Sequence, residues 1–281
     1  MVSLIVNLIW RGRDTSPFSF TGKLDSLLRL AIDNKQLSLK FQPIIKNKRV
    51  TSFEALIRWQ HPELGDISPE VFIPIAEESL LIEELTEWVI MRSLETIKRV
   101  RNKYQDIYVS VNISAKDCNN INKLKSLVFN ALSLNKLSGS ALQLEITENT
   151  FLNDIEKVEA LISDFKNHGI SFAIDDFGTG YSSLTYLLKL PIDVLKIDME
   201  FIKDMQYNKT KLGVVKGIVD ITKILSISCI AEGVETQEQA NSLKKLGFTR
   251  MQGYLFSKPI SEDDLLTFIV NNNIKNKKQL I

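Results

Sequence analysis

Short runs of β-branched and aromatic residues alternate along the chain with longer segments of helical periodicity, beginning at Lys23. The apolar runs predict strands at Ser38–Ile45, Thr51–Trp59, Ile107–Ser114, Leu142–Thr147, Ser171–Asp176, Val194–Asp198, Ser228–Val234 and Arg250–Phe256. Segments such as Ile82–Tyr104 and Asp154–His168 predict the helices between them. Strands joined by helical crossovers favour an α/β fold of the TIM-type (β/α)8 barrel class.

The first two predicted strands depart from this alternation. Only Lys46–Val50 separates them, and a parallel crossover needs a dozen residues or more. The sequence therefore predicts a barrel with an antiparallel first strand. Ser68 before Pro69, the capping box from Thr236 to Gln239, and Ser261 before three acidic residues predict starts of helices.

Length and composition set limits on domain number and on partners. With 281 residues, 44% of them apolar, the chain has the material for one large barrel or for two small domains. The division we expect is a leader at 1–22, a barrel at 23–275 and a polar tail at 276–281. A net charge of +1 provides no basic field for duplex nucleic acid.

The leader and the two cysteines indicate where in the cell the protein is expected to lie. Val2–Trp10 is mostly apolar and is followed by Arg11 and Arg13, an order that is wrong for a signal peptide and a length too short for a membrane span. Two interpretations stay open: the cytoplasmic end of a membrane helix that makes weak membrane contact, or a docked or disordered leader. Cys118 and Cys229 are far apart in sequence and fit reduced packing residues of a cytoplasmic protein.

Two adjacent acids give the first indication of chemistry. Asp175 and Asp176 end the apolar run Phe172–Ile174, and a turn with Gly178 and Gly180 follows. Two carboxylates at the end of a buried strand are unfavourable unless positive charge offsets them, and divalent metal ions commonly do so. The segment predicts a metal site at the mouth of a strand.

A polar residue also lies within or at the end of each predicted strand. In chain order these are Gln42, Glu54, Asn112, Glu145, Asp175 with Asp176, Lys196, Glu232 and Gln252. Any one of them fits an exposed charge or a structural ion pair, but independent surface charges would not fall one per strand. Active sites of TIM-type barrels are built from strand ends at one face.

The residue types in this set favour magnesium or manganese. Carboxylate and amide oxygens suit two Mg²⁺ or Mn²⁺ ions, and zinc is disfavoured because no His or Cys occupies these positions. Arg58 shares a strand face with Glu54 and suits a phosphate group. His61 and His168, in a loop and at a helix end, fit structural roles.

The motifs around these residues resemble one family along nearly the whole chain, from about residue 23 to 272. They are FQPI at 41–44, FEALIRW at 53–59, HPELGDISPEVFIPIAEE at 61–78, VSVNIS at 109–114, LEITEN at 144–149, FAIDDFGTGYSSL at 172–184, LKID at 195–198, IAEGVET at 230–236 and MQGY at 251–254. The set resembles the EAL family of cyclic di-GMP phosphodiesterases, named after its Glu-Ala-Leu signature.

The resemblance implies a role for each candidate residue. Glu54, Asn112, Glu145 and Asp175 look like ligands of one metal ion. Asp175 would bridge to a second ion held with Asp176 and Glu232. Lys196 looks like the residue that orients or deprotonates the attacking water, with a depressed pKa, and Gln42 and Arg58 look like substrate contacts. Glu148 looks like the anchor of the loop Asp176–Ser183, and Glu235 and Gln252 look like groups that position water.

The function implied is hydrolysis of cyclic di-GMP to linear pGpG with Mg²⁺ or Mn²⁺, with Ca²⁺ as an inhibitor and a homodimer by analogy. Two rival functions stay open. One is a catalytically silent cyclic di-GMP receptor or protein-binding module. The other is a barrel that hydrolyses an unrelated phosphate ester, which would not need Gln42, Arg58 and the full series of motifs.

Overall fold

The computed structural model describes residues 20–79, 81–151, 155–178 and 184–278. Most of the predicted leader, residues 1–19, and the end of the predicted tail, residues 279–281, lie outside the described residues. The strands are β1 Leu37–Lys46, β2 Arg49–His61, β3 Gly65–Ile67, β4 Tyr108–Asn112, β5 Leu142–Thr147, β6 Ser171–Phe177, β7 Val194–Ile197, β8 Ser228–Ala231, β9 Arg250–Met251 and β10 Ile260–Ser261.

Helices connect the strands and cover the outside of the sheet. Their bounds are Phe20–Asp33, Pro69–Glu78, Leu81–Arg101, Ala115–Asn119, Ile121–Asn135, Ile155–Asn167, Leu184–Lys189, Met199–Ile202, Lys209–Ile224, Gln237–Leu246 and Leu265–Lys278. Short 3₁₀ turns lie at Gly139–Ala141, Glu148–Phe151 and Glu262–Asp264. No described helix is long and apolar enough to cross a membrane.

The sheet closes into a barrel, as the sequence predicts. β2, β4, β5, β6, β7, β8 and β9 pair in parallel in that order. β1 closes the barrel and is antiparallel to both of its neighbours, β2 and β9. The short strands β3 and β10 were not predicted; they extend the sheet outside the barrel by pairing with β2 and β1.

Several predicted strands end earlier in the structure. β8 ends at Ala231 and β9 at Met251, so Glu232 and Gln252 lie just beyond the paired strands. Backbone hydrogen bonds still continue there: Glu232 N–H donates to Ile197 O at 3.1 Å and Gln252 N–H donates to Ala231 O at 2.9 Å. These two side chains are therefore held at the barrel mouth although the regular ladder has ended.

Apolar packing lies in two main regions. The larger one fills the space between barrel and helices, with Phe53, Phe165 and Phe172 among its fully buried side chains. The second packs the helices Phe20–Asp33 and Pro69–Glu78 around Trp59 of β2. Burial raises the pKa of Cys118 and of Cys229 to about 12, which keeps both thiols protonated as packing residues.

Two of the three predicted helix starts differ in detail. Thr236 and Gln239 form the predicted capping box. Pro69 begins its helix as predicted, but the Ser68 hydroxyl makes no capping bond. After Ser261 the acids form a 3₁₀ turn, and the helix begins only at Leu265. The Glu262 carboxylate accepts hydrogen bonds from side chains of the helix Leu81–Arg101.

Candidate active site

Lys196 lies at the centre of the barrel mouth and is fully buried. Its Nζ lies 2.8 Å from Glu145 Oε2, 3.0 Å from Asp175 Oδ2, 2.9 Å from Glu232 Oε1 and 3.4 Å from Glu54 Oε2. One ammonium group therefore faces four carboxylates, and each comes from a different strand or strand end. This convergence depends on barrel closure, because the four acids span residues 54 to 232 of the sequence.

The carboxylates form two groups that share one residue. Oxygens of Glu54, Glu145 and Asp175 lie within 4.8 Å of one another, and so do oxygens of Asp175, Asp176 and Glu232. Two overlapping sets of oxygen donors suit two neighbouring divalent cations with Asp175 between them. The structure brings together all five of the predicted acidic ligands.

A local irregularity in β6 separates the two adjacent aspartates. The pairing of β6 with β7 shifts register between Ile174 and Phe177, and Asp176 has a left-handed backbone with φ of 52°. Asp176 N–H donates to Asp175 Oδ1 at 2.9 Å. In a regular strand, neighbouring side chains point to opposite faces, so this bulge is what lets both carboxylates reach the barrel mouth.

Side-chain amides hold Glu54 on two sides. Asn112 Nδ2 donates to Glu54 Oε1 at 3.1 Å, and Gln252 Nε2 donates to Glu54 Oε2 at 2.5 Å. Gln252 Nε2 also donates to Gln42 Oε1 at 3.2 Å, which links the first and last barrel strands. Asn112 thus contacts the first group of carboxylates through Glu54, and Gln252 fixes the orientation of Glu54.

Burial dominates the pKa values of the cluster. Burial, with Asp175 next, raises the pKa of Asp176 to about 6, and burial raises the pKa of Glu145 to about 8 despite the nearby Lys196. Burial opposes the charge of Lys196, but Asp175, Glu145, Glu232 and Glu54 raise its pKa well above the ordinary value. Without metal ions, the four carboxylates outweigh desolvation of the ammonium group. The depressed pKa expected of Lys196 concerns the state with two bound metal ions and stays a prediction.

The donor set fits divalent cations by a second observation. Glu145 is completely buried, and its Oε1 accepts no hydrogen bond from the described residues. A buried carboxylate oxygen without a partner is costly and indicates a missing positive or hydrogen-bonding group. Hard oxygen donors around such an atom match Mg²⁺ or Mn²⁺ rather than zinc.

A cavity of about 350 Å³ opens directly above the cluster. Its walls combine the candidate ligands Glu54, Asp176 and Glu232 with apolar side chains. The remaining lining residues are Gln42, Leu56, Asp198, Met199, Gly233, Glu235, Gln252, Gly253 and Tyr254. A cavity of this size, with acids at its floor and apolar walls, suits an organic phosphate that contacts metal ions.

Arg58 and Glu235, which were predicted to contact substrate and water, lie away from the centre of the site. Arg58 lies one pleat beyond Leu56 on β2, half buried, and its Nη1 donates to the Ile57 carbonyl at 2.7 Å. It is not among the residues that line the cavity. Glu235 lines the cavity with an exposed side chain, and its backbone N–H donates to Gln239 Oε1 of the capping box at 2.8 Å.

Glu148 lies where an anchor of the loop after β6 should be. It is buried, and its Oε2 accepts a hydrogen bond from Gly178 N–H at 3.4 Å. Phe201 packs on the other side of Gly178, where an added Cβ would lie 2.4 Å from the ring. The remainder of the loop that Glu148 is predicted to anchor, residues 179–183, lies outside the described residues.

Two glycines at the site have structural roles that motif reasoning did not assign. An added Cβ at Gly233 would lie 2.3 Å from Met199 Cβ, with φ of 60°. At Gly253 it would lie 2.2 Å from the Val234 carbonyl oxygen, with φ of 153°. In the sequence, the glycines directly after Glu232 and Gln252 could have indicated these roles, because glycine allows a left-handed backbone and the close approach of neighbouring atoms.

The two histidines make local structural contacts, as predicted. His61 Nδ1 accepts hydrogen bonds from Glu63 N–H and Leu64 N–H, both at 3.2 Å. His168 Nδ1 lies 2.9 Å from the Asp164 carbonyl oxygen, and its ring packs on Phe129. Neither residue lines the cavity.

Comparison with known proteins gives a consistent result. The EAL domain family matches residues 26–259. The cyclic di-GMP phosphodiesterase PdeR of Escherichia coli is 38% identical over 242 residues, covering 84% of this chain and 36% of that protein. The bifunctional diguanylate cyclase/cyclic di-GMP phosphodiesterase MucR of Pseudomonas aeruginosa is 36% identical over 245 residues, covering 86% of this chain and 36% of that protein.

A solved structure also matches along most of the chain. The PaMucR phosphodiesterase in complex with c-di-GMP superposes with a TM-score of 0.82 at 35% identity, covering 86% of this chain and 99% of that one. The present chain spans about a third of the length of the curated relatives it matches.

Proposed function

The chain belongs to the EAL domain family, and from this premise we propose that it is a phosphodiesterase that hydrolyses cyclic di-GMP to linear pGpG with two Mg²⁺ or Mn²⁺ ions. The observation that carries the proposal is the pair of carboxylate groups sharing Asp175 at the floor of the cavity. Homologues named as cyclic di-GMP phosphodiesterases support the reaction type.

The residues divide into those that hold ions and those that contact substrate and water. Glu54, Asn112, Glu145 and Asp175 would hold one ion, and Asp175, Asp176 and Glu232 the other. When bound, the two ions supply Lewis acidity for the phosphate and lower the pKa of water. Gln42 lines the cavity and offers an amide to the substrate, and Arg58, farther along β2, suits a phosphate oxygen.

Lys196 is the residue in reach of the reacting water. Its Nζ already contacts acids of both groups, so it would hold a water molecule at the junction between them. The same carboxylates that raise the pKa of Lys196 are the proposed metal ligands, and neutralising them lowers this pKa. In the reaction, water oxygen bonds to phosphorus, the bond from phosphorus to the 3′ oxygen breaks, and the leaving oxygen gains a proton.

Turnover of cyclic di-GMP by the purified chain tests this proposal. We expect pGpG with Mg²⁺ or Mn²⁺, no product in excess chelator, and inhibition by Ca²⁺, because its larger radius and looser coordination misplace water. Glu54→Ala and Asp175→Ala should abolish turnover, with the larger loss of metal binding for the shared Asp175. Asp220→Asn, at an exposed helix position, is the matched control. Full activity in excess chelator would refute the assignment of the ions.

Binding without turnover is the second candidate function. The motifs favour catalysis because every expected ligand position is filled, but a receptor would bind cyclic di-GMP through the same cavity. Equilibrium binding with Ca²⁺, followed by single-turnover assay with Mn²⁺, separates the two. Tight binding with no pGpG after many binding lifetimes would establish the receptor.

Membrane contact, a cytoplasmic location and a homodimer stay predictions. Val2–Trp10 with Arg11 and Arg13 suits the headgroup region of anionic lipid. Deleting residues 1–19 should leave turnover intact and abolish sedimentation with anionic vesicles. A full chain that never sediments with such vesicles would refute the contact, and analytical ultracentrifugation tests the dimer.

A further inference from the structure

A second row of side chains lies inside the barrel beneath three of the candidate metal ligands. Each member precedes Glu54, Asn112 or Glu145 by two positions on the same strand. Side chains two positions apart on a strand share one face, so both rows point into the barrel interior. The lower row consists of Ser52, Ser110 and Gln143.

The lower row is buried and its oxygen atoms are unsatisfied. Ser52 and Ser110 are fully buried, and Gln143 is 1% exposed. Gln143 Nε2 donates to Ser171 Oγ at 3.3 Å, but Gln143 Oε1 and both serine hydroxyls have no hydrogen-bond partner among the described residues. Glu145 Oε1, one pleat above on β5, also has no hydrogen-bond partner among the described residues.

Strand register places these atoms around one small volume. Ser110 pairs directly with Gln143 across β4 and β5, and Glu54 pairs with Ser110 across β2 and β4. Adjacent strands are about 4.8 Å apart, so oxygens on paired residues are near neighbours. They nevertheless form no direct hydrogen bond with one another. A small bridging group would satisfy several of them at once.

The rest of the same layer is apolar except for Arg250 of β9, which pairs with Ile230. Arg250 Nη1 donates to the Tyr108 hydroxyl at 3.1 Å, and Arg250 Nε has no hydrogen-bond partner among the described residues. The apolar residues of the layer are Ile44, Ala173, Val194 and Ile230, which form a cluster beneath the candidate site residues of β1, β6, β7 and β8. Barrel interiors are usually filled by bulky branched side chains, whereas the polar half contributes two serines. Polar atoms without partners around two small side chains favour a bound water molecule over an empty apolar void.

We propose that ordered water is bound in this polar half-layer and bridges Ser110 and Gln143 to the unpaired oxygen of Glu145. When Glu145 is ionised, such a water donates to Gln143 Oε1 and Glu145 Oε1 and accepts from a serine hydroxyl, the usual three bonds of a buried water. Together with the contact from Lys196 Nζ to Glu145 Oε2, the water would fix the orientation of the Glu145 carboxylate, whose remaining lone pairs stay free for a metal ion. Ser110 and Gln143 are then positioning residues that act through Glu145.

The water site itself is independent of catalysis, whereas its effect on metal binding rests on the proposed function. A crystal structure of the full chain at high resolution tests the site. We expect a solvent peak within hydrogen-bonding distance of Ser110 Oγ, Gln143 Oε1 and Glu145 Oε1. Direct hydrogen bonds among these side chains, with no solvent peak between them, would overturn the proposal.

Mn²⁺ affinity, measured by calorimetry, tests the positioning role. Gln143→Met keeps side-chain length and removes the amide, and Ser110→Ala removes one oxygen atom. Both should weaken Mn²⁺ binding about tenfold, the usual effect of losing a group that orients a metal ligand. Ser93→Ala is the matched control, because Ser93 is fully buried and its hydroxyl also has no partner in the described part of the chain, but it lies on the outer helix Leu81–Arg101.

Unchanged Mn²⁺ affinity in folded Ser110→Ala and Gln143→Met would overturn the positioning role, as would an equal loss in Ser93→Ala. Near-ultraviolet circular dichroism checks folding, and Ser110→Ala decides the question if Gln143→Met does not fold. Wild-type protein that binds no Mn²⁺ would refute the proposed function. The solvent peak would still decide the water site in that case, so the two failures are distinguishable.

Discussion

Lys196 Nζ donates to Asp175 Oδ2 across 3.0 Å, and Asp175 is the carboxylate shared by both candidate metal groups. The buried ammonium group therefore lies at the junction of the two sets of ligands. Without metal it is the charge that compensates the acids around it. With metal, the ions and the lysine would share the same carboxylates, so folding, metal binding and catalysis are coupled at this residue.

Replacing Lys196 by methionine should destabilise the metal-free protein. The ammonium stabilises the folded state at pH values below the ordinary pKa of lysine, and removal of one partner from a buried ion pair costs about 3–5 kcal/mol. Thermal unfolding at about pH 9, above the pKa of about 8 of Glu145, should show a lower Tm, with a smaller loss when Mn²⁺ is present. Lys245→Met, at an exposed position, is the control. An unchanged Tm would show that Lys196 does not compensate the cluster.

Kinetics should separate Lys196 from Arg58. Lys196→Ala should lower kcat about 10²–10⁴-fold and leave cyclic di-GMP affinity nearly intact, because the lysine acts on water. Arg58→Ala should instead weaken cyclic di-GMP binding, because it removes a phosphate contact. Single-turnover rates and equilibrium binding in Ca²⁺ measure the two effects. The opposite pattern would exchange the two roles.

Metal binding should release protons at neutral pH. Burial raises the pKa of Glu145 to about 8, so this carboxyl is largely protonated at pH 7 without metal. Burial also raises the pKa of Glu232 well above its ordinary value. Mn²⁺ needs the carboxylates, so its affinity should tighten as pH rises toward 8. Calorimetry in two buffers of different ionisation enthalpy counts the protons.

The raised pKa of Glu145 also determines how the stability of the folded state changes with pH. The folded state binds the Glu145 proton more tightly than the unfolded state, so this contribution to stability is present below the ordinary pKa and is lost as pH rises through about 8. Glu145→Gln should release fewer protons on Mn²⁺ binding and should flatten this pH dependence. No proton release from the wild type would show that the acids are already ionised.

Gly233→Ala should disturb the site through Met199. The added Cβ would lie 2.3 Å from Met199 Cβ at a backbone φ of 60°, and relief requires movement next to Glu232. We expect a loss of about 1–3 kcal/mol in unfolding free energy and weaker Mn²⁺ binding. Gly217→Ala is the matched control: it lies in the helix Lys209–Ile224 with open space around it, and should stabilise by up to about 1 kcal/mol. Equal effects of the two substitutions would contradict the steric argument.

Glu148→Ala should uncouple the loop after β6 from the barrel. The carboxylate accepts from Gly178 N–H, two residues after Asp176, so its loss frees the segment that carries one candidate ligand. We expect lower kcat and weaker Mn²⁺ binding together, with a cooperative unfolding transition retained. Glu148→Gln, which keeps an acceptor oxygen, should recover part of both. Normal kinetics with normal Mg²⁺ dependence would refute the anchoring role.

Local patterns in the sequence are sufficient to predict part of this structure. Alternation of apolar runs and helical segments predicted the barrel, and the short spacer between β1 and β2 predicted the antiparallel first strand. The capping box at Thr236 is likewise local. Candidate site residues could be named because parallel strands present their ends at one face, so one polar residue per strand implies a cluster there.

How those residues meet depends on the tertiary structure. Barrel closure sets which strands are neighbours, and so places four carboxylates around Lys196, which raise its pKa in the absence of metal. The bulge at Asp176, the tight approach at Gly233 and the unpaired oxygens beneath Glu145 depend on register and burial. These properties arise from contacts between segments far apart in sequence, and no local pattern encodes the distances or the loss of water that fix them.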